Sequence, residues 1–210
     1  MKIALITDQH LDGRKGSLAF WNYWQQFYDN IFFPTLEKEG IDTVIDLGDT
    51  FDNRKSMDFN TFNRVSDNYF DKLKSYKVHM LLGNHCVYYK NTNKVNSPEL
   101  LLKQYDNITI YSEPEHLKLG SKNFLMLPWI NRENQKEIFK LLETSEADVC
   151  CGHLELSGFE MNPGFLMDHG MDPKLFRRFK RVWSGHYHHK STKGNITYLC
   201  NPYQMFWNDY

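Results

Sequence analysis

The stretch Val78-His79-Met80-Leu81-Leu82-Gly83-Asn84-His85-Cys86 passes from an apolar run into a glycine followed by two side chains able to bind a metal. A short apolar run bounded by a turn residue reads as a buried strand, so Gly83-Asn84-His85 falls where that strand ends. The same arrangement recurs along the chain. Residues 2–7 run into Asp8-Gln9-His10, and residues 43–47 into Gly48-Asp49-Thr50-Phe51-Asp52. Residues 148–151 run into Gly152-His153, and residues 181–184 into Gly185-His186-Tyr187-His188. Every one of these runs ends in oxygen or imidazole donors. In open α/β sheets functional groups converge outside the carboxyl ends of strands, so segments far apart in sequence can share one crevice.

Further strands are expected at 108–111, 116–119, 123–127 and 196–199, and helices at 17–39, 59–75, 98–105, 133–143 and 173–179. Strands alternating with helical periods make the fold class α/β. In the first helix Phe20, Trp24, Phe27 and Ile31 form one stripe, beside a second of Trp21, Tyr28 and Phe32. Core packing is expected of the first stripe; for the second, core and subunit contact stand equal. Pro34 is expected to kink this helix rather than end it, because helix formers continue to Gly40.

The chain has 210 residues, which fits one large domain on a prior of roughly 100–200 residues each. With 25 basic and 26 acidic residues the formal charge is −1, so an anionic partner must be attracted locally rather than by a global field. No stretch approaches the roughly 20 apolar residues of a membrane span, and the N-terminal apolar run is too short for a signal peptide. The chain reads as cytoplasmic. Its four cysteines contain no CxxC pair and do not form a secreted disulfide framework; Cys150 and Cys151 are expected to pack as small hydrophobes.

Asp8 and His10, like His186 and His188, are spaced i, i+2, which on extended backbone points both side chains the same way. The donors are carboxylate, amide oxygen and imidazole without sulfur, a set suited to Mn²⁺, Fe²⁺ or Zn²⁺. They are too many for one ion. Two ions about 3.5–4 Å apart, sharing a carboxylate and a hydroxide, would use them all and would activate water against a phosphoryl group. His79, His116, His169 and His189 fall outside the pattern and read as ordinary core or surface residues.

The order D-x-H, G-D-x-x-D, G-N-H, G-H, G-H-x-H resembles the calcineurin-like metallophosphoesterase superfamily over essentially the whole chain. Within it "ITDQHLD", "LGDTFDNRKS", "LPW", "GHLELSGF" and "VWSGHYHH" look like the SbcD-type, meiotic-recombination-eleven family of DNA repair nucleases, particularly phage-encoded recombination endonuclease subunits. The resemblance implies a four-layer α/β/β/α sandwich with two mixed sheets. Asp8, His10, Asp49 and His188 would hold one metal; Asp49, Asn84, His153 and His186 would hold the other, with Asp49 bridging. His85 would donate a proton to the leaving group, supported by Asp52. The implied reaction is Mn²⁺-dependent hydrolysis of DNA as a 3′-to-5′ exonuclease and single-strand endonuclease in double-strand-break repair and recombination, with Mg²⁺, Fe²⁺ or Zn²⁺ as other candidate ions. The implied assembly is a homodimer, through the exposed stripe of the first helix and residues 59–73, bound to an SbcC-type, SMC-like ATPase. If phage-encoded, it would act in the host cytoplasm.

The loop Tyr88-Tyr89-Lys90-Asn91-Thr92-Asn93-Lys94 leaves the site, and with Arg54 it could touch DNA, since tyrosines stack on bases and lysines neutralise phosphate. A solvated loop is an equal reading. Lys55 and the cluster Arg177-Arg178-Phe179-Lys180-Arg181 are further basic groups, read chiefly as solvated. Three features depart from the family pattern. Cys86 stands where relatives carry an acid, Tyr198-Leu199-Cys200-Asn201-Pro202 replaces a "YLG" segment, and residues 1–210 are expected to form a nuclease domain lacking its last strands and capping domain. Cys86 is read as a tolerated small residue, next as a lesion that slows catalysis, and last as a thiolate ligand or partner of Cys200. The alternatives to a nuclease are a catalytically impaired binding subunit and a small-molecule phosphodiesterase or phosphatase.

Overall fold

The computed structural model describes residues 1–162 and 164–205. Strands β1 (Ala4–Ile6), β2 (Thr43–Asp46), β3 (Lys77–Leu81) and β4 (Ile108–Tyr111) form one sheet in that order. Its neighbours are all parallel, with Ile6 opposite Asp46, Asp46 opposite Met80 and Leu81 opposite Tyr111. Among the described residues this sheet is parallel throughout, where a mixed one was expected. A helix follows each of the first three strands, and parallel strands need such crossovers. Helix α1 begins at Leu18–Phe27 and passes through a π turn, Tyr28–Phe32, into Phe33–Glu39. Helix α2 (Phe59–Val65) continues through a π turn, Ser66–Phe70, to a 3₁₀ turn, Lys72–Ser75, and α3 is Ser97–Leu101.

The second sheet is mixed. It contains β5 (Glu115–Leu119), β6 (Lys122–Leu127), β7 (Val149–His153), β10 (Arg181–Gly185), β11 (Ser191–Lys193) and β12 (Ile196–Tyr198), in the order β11-β12-β10-β7-β6-β5. Helix α4 (Gln135–Thr144) and a 3₁₀ turn, Pro173–Phe176, cover its outer face. A small hairpin of β8 (Glu160–Asn162) and β9 (Phe165–Leu166) follows β7. This hairpin and β11 were not anticipated from the sequence, because they are too short to show a period.

Alternation along each strand sorts the side chains into layers. Val44, Val78 and Met80 pack beneath α1 and α2, whereas Ile45 and Leu81 face the second sheet and meet Phe124, Met126 and Cys151. Cys150 points the other way, toward Ile138 and Leu142 of α4. The adjacent cysteines thus serve two different cores, as small hydrophobes, in a four-layer α/β/β/α sandwich. Truncating a residue such as Leu81, fully buried between the sheets, costs about 2–5 kcal/mol.

The first stripe of α1 is only partly core, with Trp24 buried and Phe27 half-buried, and for the second stripe the core reading holds. Trp21, Trp24, Tyr28 and Phe32 are buried, while Phe20 is 38% and Ile31 56% exposed. The buried face runs i, i+3, i+7, i+11 through Trp21, Trp24, Tyr28 and Phe32, an ordinary helical stripe that borders the expected one. Backbone angles stay helical across Pro34, which sits in the first turn of the segment after the π turn. Tyr203, from the chain beyond β12, stacks on Trp24 with ring centres 5.0 Å apart.

Candidate metal centre

The donor loops begin where strands cannot continue. Asp8 (φ 50°), His10 (φ 44°), Asp49 (φ 53°) and His186 (φ 92°) adopt positive φ. For residues other than glycine this costs of order 1–3 kcal/mol and persists only where the surroundings over-determine it. Here the main chain does so: Asp8 N–H donates to Gly48 C=O, His10 N–H to Asp49 C=O and Leu11 N–H to Thr50 C=O, each at 2.9 Å. Close approach also requires glycine. A Cβ on Gly83 would stand 2.1 Å from Asp49 Oδ1, and one on Gly185 2.0 Å from Thr7 Oγ1.

The predicted ligands from these five segments converge. His153 Nδ1 lies 2.9 Å from the Leu47 carbonyl oxygen; since a carbonyl only accepts, a proton sits on Nδ1 and Nε2 is the nitrogen that could coordinate an ion. That Nε2 is 3.1 Å from Asn84 Oδ1, 3.2 Å from Asp49 Oδ2 and 3.9 Å from Asp8 Oδ1. Asn84 Oδ1 is in turn 2.9 Å from His186 Nδ1. On the other side His188 Nε2 stands 3.9 Å from Asp8 Oδ1, and His10 Nε2 stands 4.0 Å from Asp49 Oδ2. Asp49 lies between the two sets, and its Oδ1 accepts the main-chain N–H of His85 at 2.8 Å.

Donor chemistry and burial both fit divalent ions. The potential ligand atoms of Asp8, His10 and His188 lie within 4.8 Å of one another, as do those of Asp8, Asp49 and His153. The set is all oxygen and imidazole. His10 Nε2 is buried and has no hydrogen-bond partner among the described residues, and Nδ1 approaches Asp52 Oδ1 at 3.0 Å outside hydrogen-bonding alignment. A buried polar atom left unpaired is costly, and coordination would satisfy it.

Burial alone would raise the Asp49 carboxyl, but His153, followed by His10 and His85, outweighs it and holds Asp49 well below the usual carboxylate range. For His153 burial lowers and Asp49 then raises, with a net shift to about 9. Burial, then the charge of His153, pushes His186 down to about 3; its ring is neutral at pH 7, as ligation requires. An ion would have to displace the proton from His153.

His85 is half-buried and perpendicular to His10 at 5.0 Å between rings. Its Nδ1 lies 2.7 Å from the main-chain oxygen of Asp52 but 3.6 Å from the Asp52 carboxylate. Asp52 thus meets His85 chiefly through its backbone, and its carboxylate turns toward His10. Cys86 is fully buried with Leu82 and Val87, next to Trp129. Burial pushes its thiol up to about 12, so it presents no thiolate; it and Cys200 are free thiols. Tyr88, Tyr89 and Lys90 are exposed, and Lys55 lies over the Tyr88 ring at 5.6 Å. Arg54 lines a small cleft with Tyr88. His79, His116, His169 and His189 remain outside the centre, bonded or paired to Tyr111, Ser145, Asp168 and Glu160 respectively.

Supporting residues escaped the sequence. Asp46 is buried and its carboxylate accepts from Gln9 Nε2 at 2.8 Å, Thr50 Oγ1 at 2.7 Å and Gly48 N–H at 3.0 Å. It clamps the loop of Asp8 and His10 to the loop of Asp49. Tyr28 donates to Gln9 Oε1 at 2.7 Å, which ties this network to α1. Asp12 accepts the main-chain N–H of Asp52 at 2.5 Å. The available signal was a carboxylate inside the apolar run Val44-Ile45-Asp46-Leu47, a position where burial demands partners.

A four-layer sandwich with such donors at the carboxyl ends of both sheets defines a metallophosphoesterase. The chain belongs to the calcineurin-like phosphoesterase family, whose model matches residues 1–190. It is similar to exonuclease subunit 1 of Enterobacteria phage T4, with 35% identity over 171 residues covering 80% of this chain and 50% of that relative. It is also similar to putative phosphoesterase 078R of Invertebrate iridescent virus 3, with 27% identity over 94% of this chain and 56% of that relative. The chain spans about half the length of these curated relatives. The nuclease MPE of Pseudomonas putida shares the fold, with a TM-score of 0.54 and 15% identity, covering 98% of this chain and 77% of that one. These likenesses bear out the resemblance to phage-encoded nuclease subunits. Among the described residues no helix is long and apolar enough to cross a membrane.

Proposed function

We propose that the chain hydrolyses DNA phosphodiesters as a metal-dependent nuclease, both as a 3′-to-5′ exonuclease and as a single-strand endonuclease, in double-strand-break repair and recombination. The carrying observation is the pair of donor sets that meet at Asp49, with Asp8, His10 and His188 on one side and Asn84, His153 and His186 on the other. Two divalent ions, most naturally Mn²⁺, would neutralise phosphoryl oxygens there and activate a water nucleophile. Asp49 would hold both ions.

The protein's own residues supply orientation and a proton. The Asp52 carbonyl fixes a proton on His85 Nδ1, leaving Nε2 free to take up a second proton and pass it to the leaving oxygen. Asp52 acts on His85 through that carbonyl and on His10 through its carboxylate. Because Cys86 faces an apolar cluster, a small residue is tolerated there, which favours an active enzyme over an impaired binding subunit. Tyr88, Tyr89, Lys90 and Arg54 are proposed to line the path of a DNA strand. A homodimer and an SMC-like ATPase partner in the host cytoplasm complete the reading; the exposed Leu18, Tyr23, Ile31 and Phe59 on α1 and α2 support a contact surface.

The test is cleavage of single- and double-stranded DNA, and of a small chromogenic phosphodiester, with Mn²⁺ and with chelator. DNA cutting that requires the ion supports the proposal. Turnover of the small ester alone would move the substrate class, and cutting indifferent to chelator would sink the mechanism.

A further inference from the structure

A cleft of about 560 Å³ opens beside the metal centre, bounded by Trp129, Phe139, Met171 and Leu175, and it shares His153 with the donor set. Trp129 forms the junction between the two. Its indole lies 5.3 Å from the His186 ring and 6.1 Å from that of His153. The residue is held at both ends of its peptide unit: Trp129 N–H donates to Leu82 C=O at 2.7 Å, and its own carbonyl accepts from Asn93 Nδ2 and Asn134 Nδ2, each at 3.0 Å. It is partly exposed despite this anchoring. A rigid, part-open indole beside a phosphate-handling centre is a stacking platform, because every nucleobase offers a π face.

Charge decides which part of a nucleotide fits. Arg132 lines the cleft, but so do the carboxylates of Glu155 and Asp172, and that balance repels a second phosphate. Apolar walls with a few polar groups accept a base instead. We infer that this cleft seats the nucleobase adjoining the scissile phosphate, stacked on Trp129, and so sets where along a single strand the enzyme cuts. The inference rests on the proposed nuclease reading and adds a base subsite to it.

Oligonucleotides carrying one abasic residue, walked a nucleotide at a time past the cleavage position, test it with the full chain, Trp129→Ala and Trp129→Phe. Stacking on an aromatic side chain is worth roughly 5- to 150-fold per base. For the wild type, removing the base at one position next to the cut is expected to raise KM about tenfold with kcat little changed. Trp129→Ala should raise KM similarly on intact DNA and lose sensitivity to the abasic position, while Trp129→Phe retains it. Binding of a labelled strand in chelator, read by fluorescence anisotropy without turnover, should show the same pattern. If the wild type cuts DNA but is indifferent to every abasic position, the base subsite is overturned while the nuclease reading stands. If the wild type cuts no DNA under any divalent ion, both fall together.

Discussion

His85 Nδ1 lies 2.7 Å from the main-chain oxygen of Asp52, nearly an ångström closer than the carboxylate of the same residue at 3.6 Å. A backbone partner survives side-chain substitution. His85→Ala is therefore expected to lower kcat by about 10²–10⁴, the span of general acid catalysis, with Mn²⁺ binding by calorimetry retained. Asp52→Asn should cost kcat only about tenfold or less, well short of the His85→Ala loss. Equal losses in the two variants would mean that the carboxylate, not the carbonyl, orients the imidazole.

The buried, unpartnered nitrogen of His10 and the strained backbones of the proposed ligands predict strong coupling of ions to stability. At an Mn²⁺ concentration about a hundredfold over its Kd the gain is about 2.7 kcal/mol, or roughly 5–10 °C in Tm for a chain of this size. Differential scanning fluorimetry with Mn²⁺ and with chelator measures it. Asp49→Ala should abolish the shift.

Ion binding should also depend on pH with a definite sign. His153 titrates at about 9, above its ordinary 6.5, so its support of the metal-free fold is complete below pH 6.5 and lost as pH rises through 9. Ligation needs the unprotonated nitrogen. Mn²⁺ affinity should therefore climb between pH 6.5 and 9 by up to about tenfold per unit, with proton release visible when calorimetry is repeated in buffers of different ionisation enthalpy. A flat affinity over that range would contradict the His153 assignment.

Of the four cysteines only Cys200 is exposed. Ellman's reagent should report one reactive thiol in the native protein and four after unfolding. Cys86→Asp places an unpaired carboxylate among Leu82 and Val87 and should destabilise by about 3–5 kcal/mol instead of raising activity. Cys86→Ala should cost about 1 kcal/mol and leave cleavage intact.

Asp46 holds Gly48 and Thr50 on either side of Asp49. Asp46→Asn turns one acceptor into a donor facing donors, at a cost of about 1–3 kcal/mol and some 2–12 °C in Tm. Mn²⁺ affinity should fall with it, although Asp46 is no ligand; unchanged affinity would confine Asp46 to the fold.

The sequence by itself determined the fold class and the candidate ligands, because both follow from local pattern. Apolar runs ending in Gly48, Gly83 and Gly185 mark strands giving way to tight loops that carry the donors, although the pairs Asp8/His10 and His186/His188 are aimed by positive φ at Asp8, His10 and His186 and not by the extended backbone expected of them. Tertiary structure alone decided the rest. The two aromatic stripes of α1 are adjacent and both fit a 3.6-residue period, so only packing against the sheet decided that Tyr28 is buried while Phe20 and Ile31 are exposed. The burial of Cys86, the clamp at Asp46 and the place of Trp129 beside His186 all join residues dozens of positions apart. Such relationships arise when two sheets pack face to face and bring their strand ends to one edge, and no window along the chain contains them.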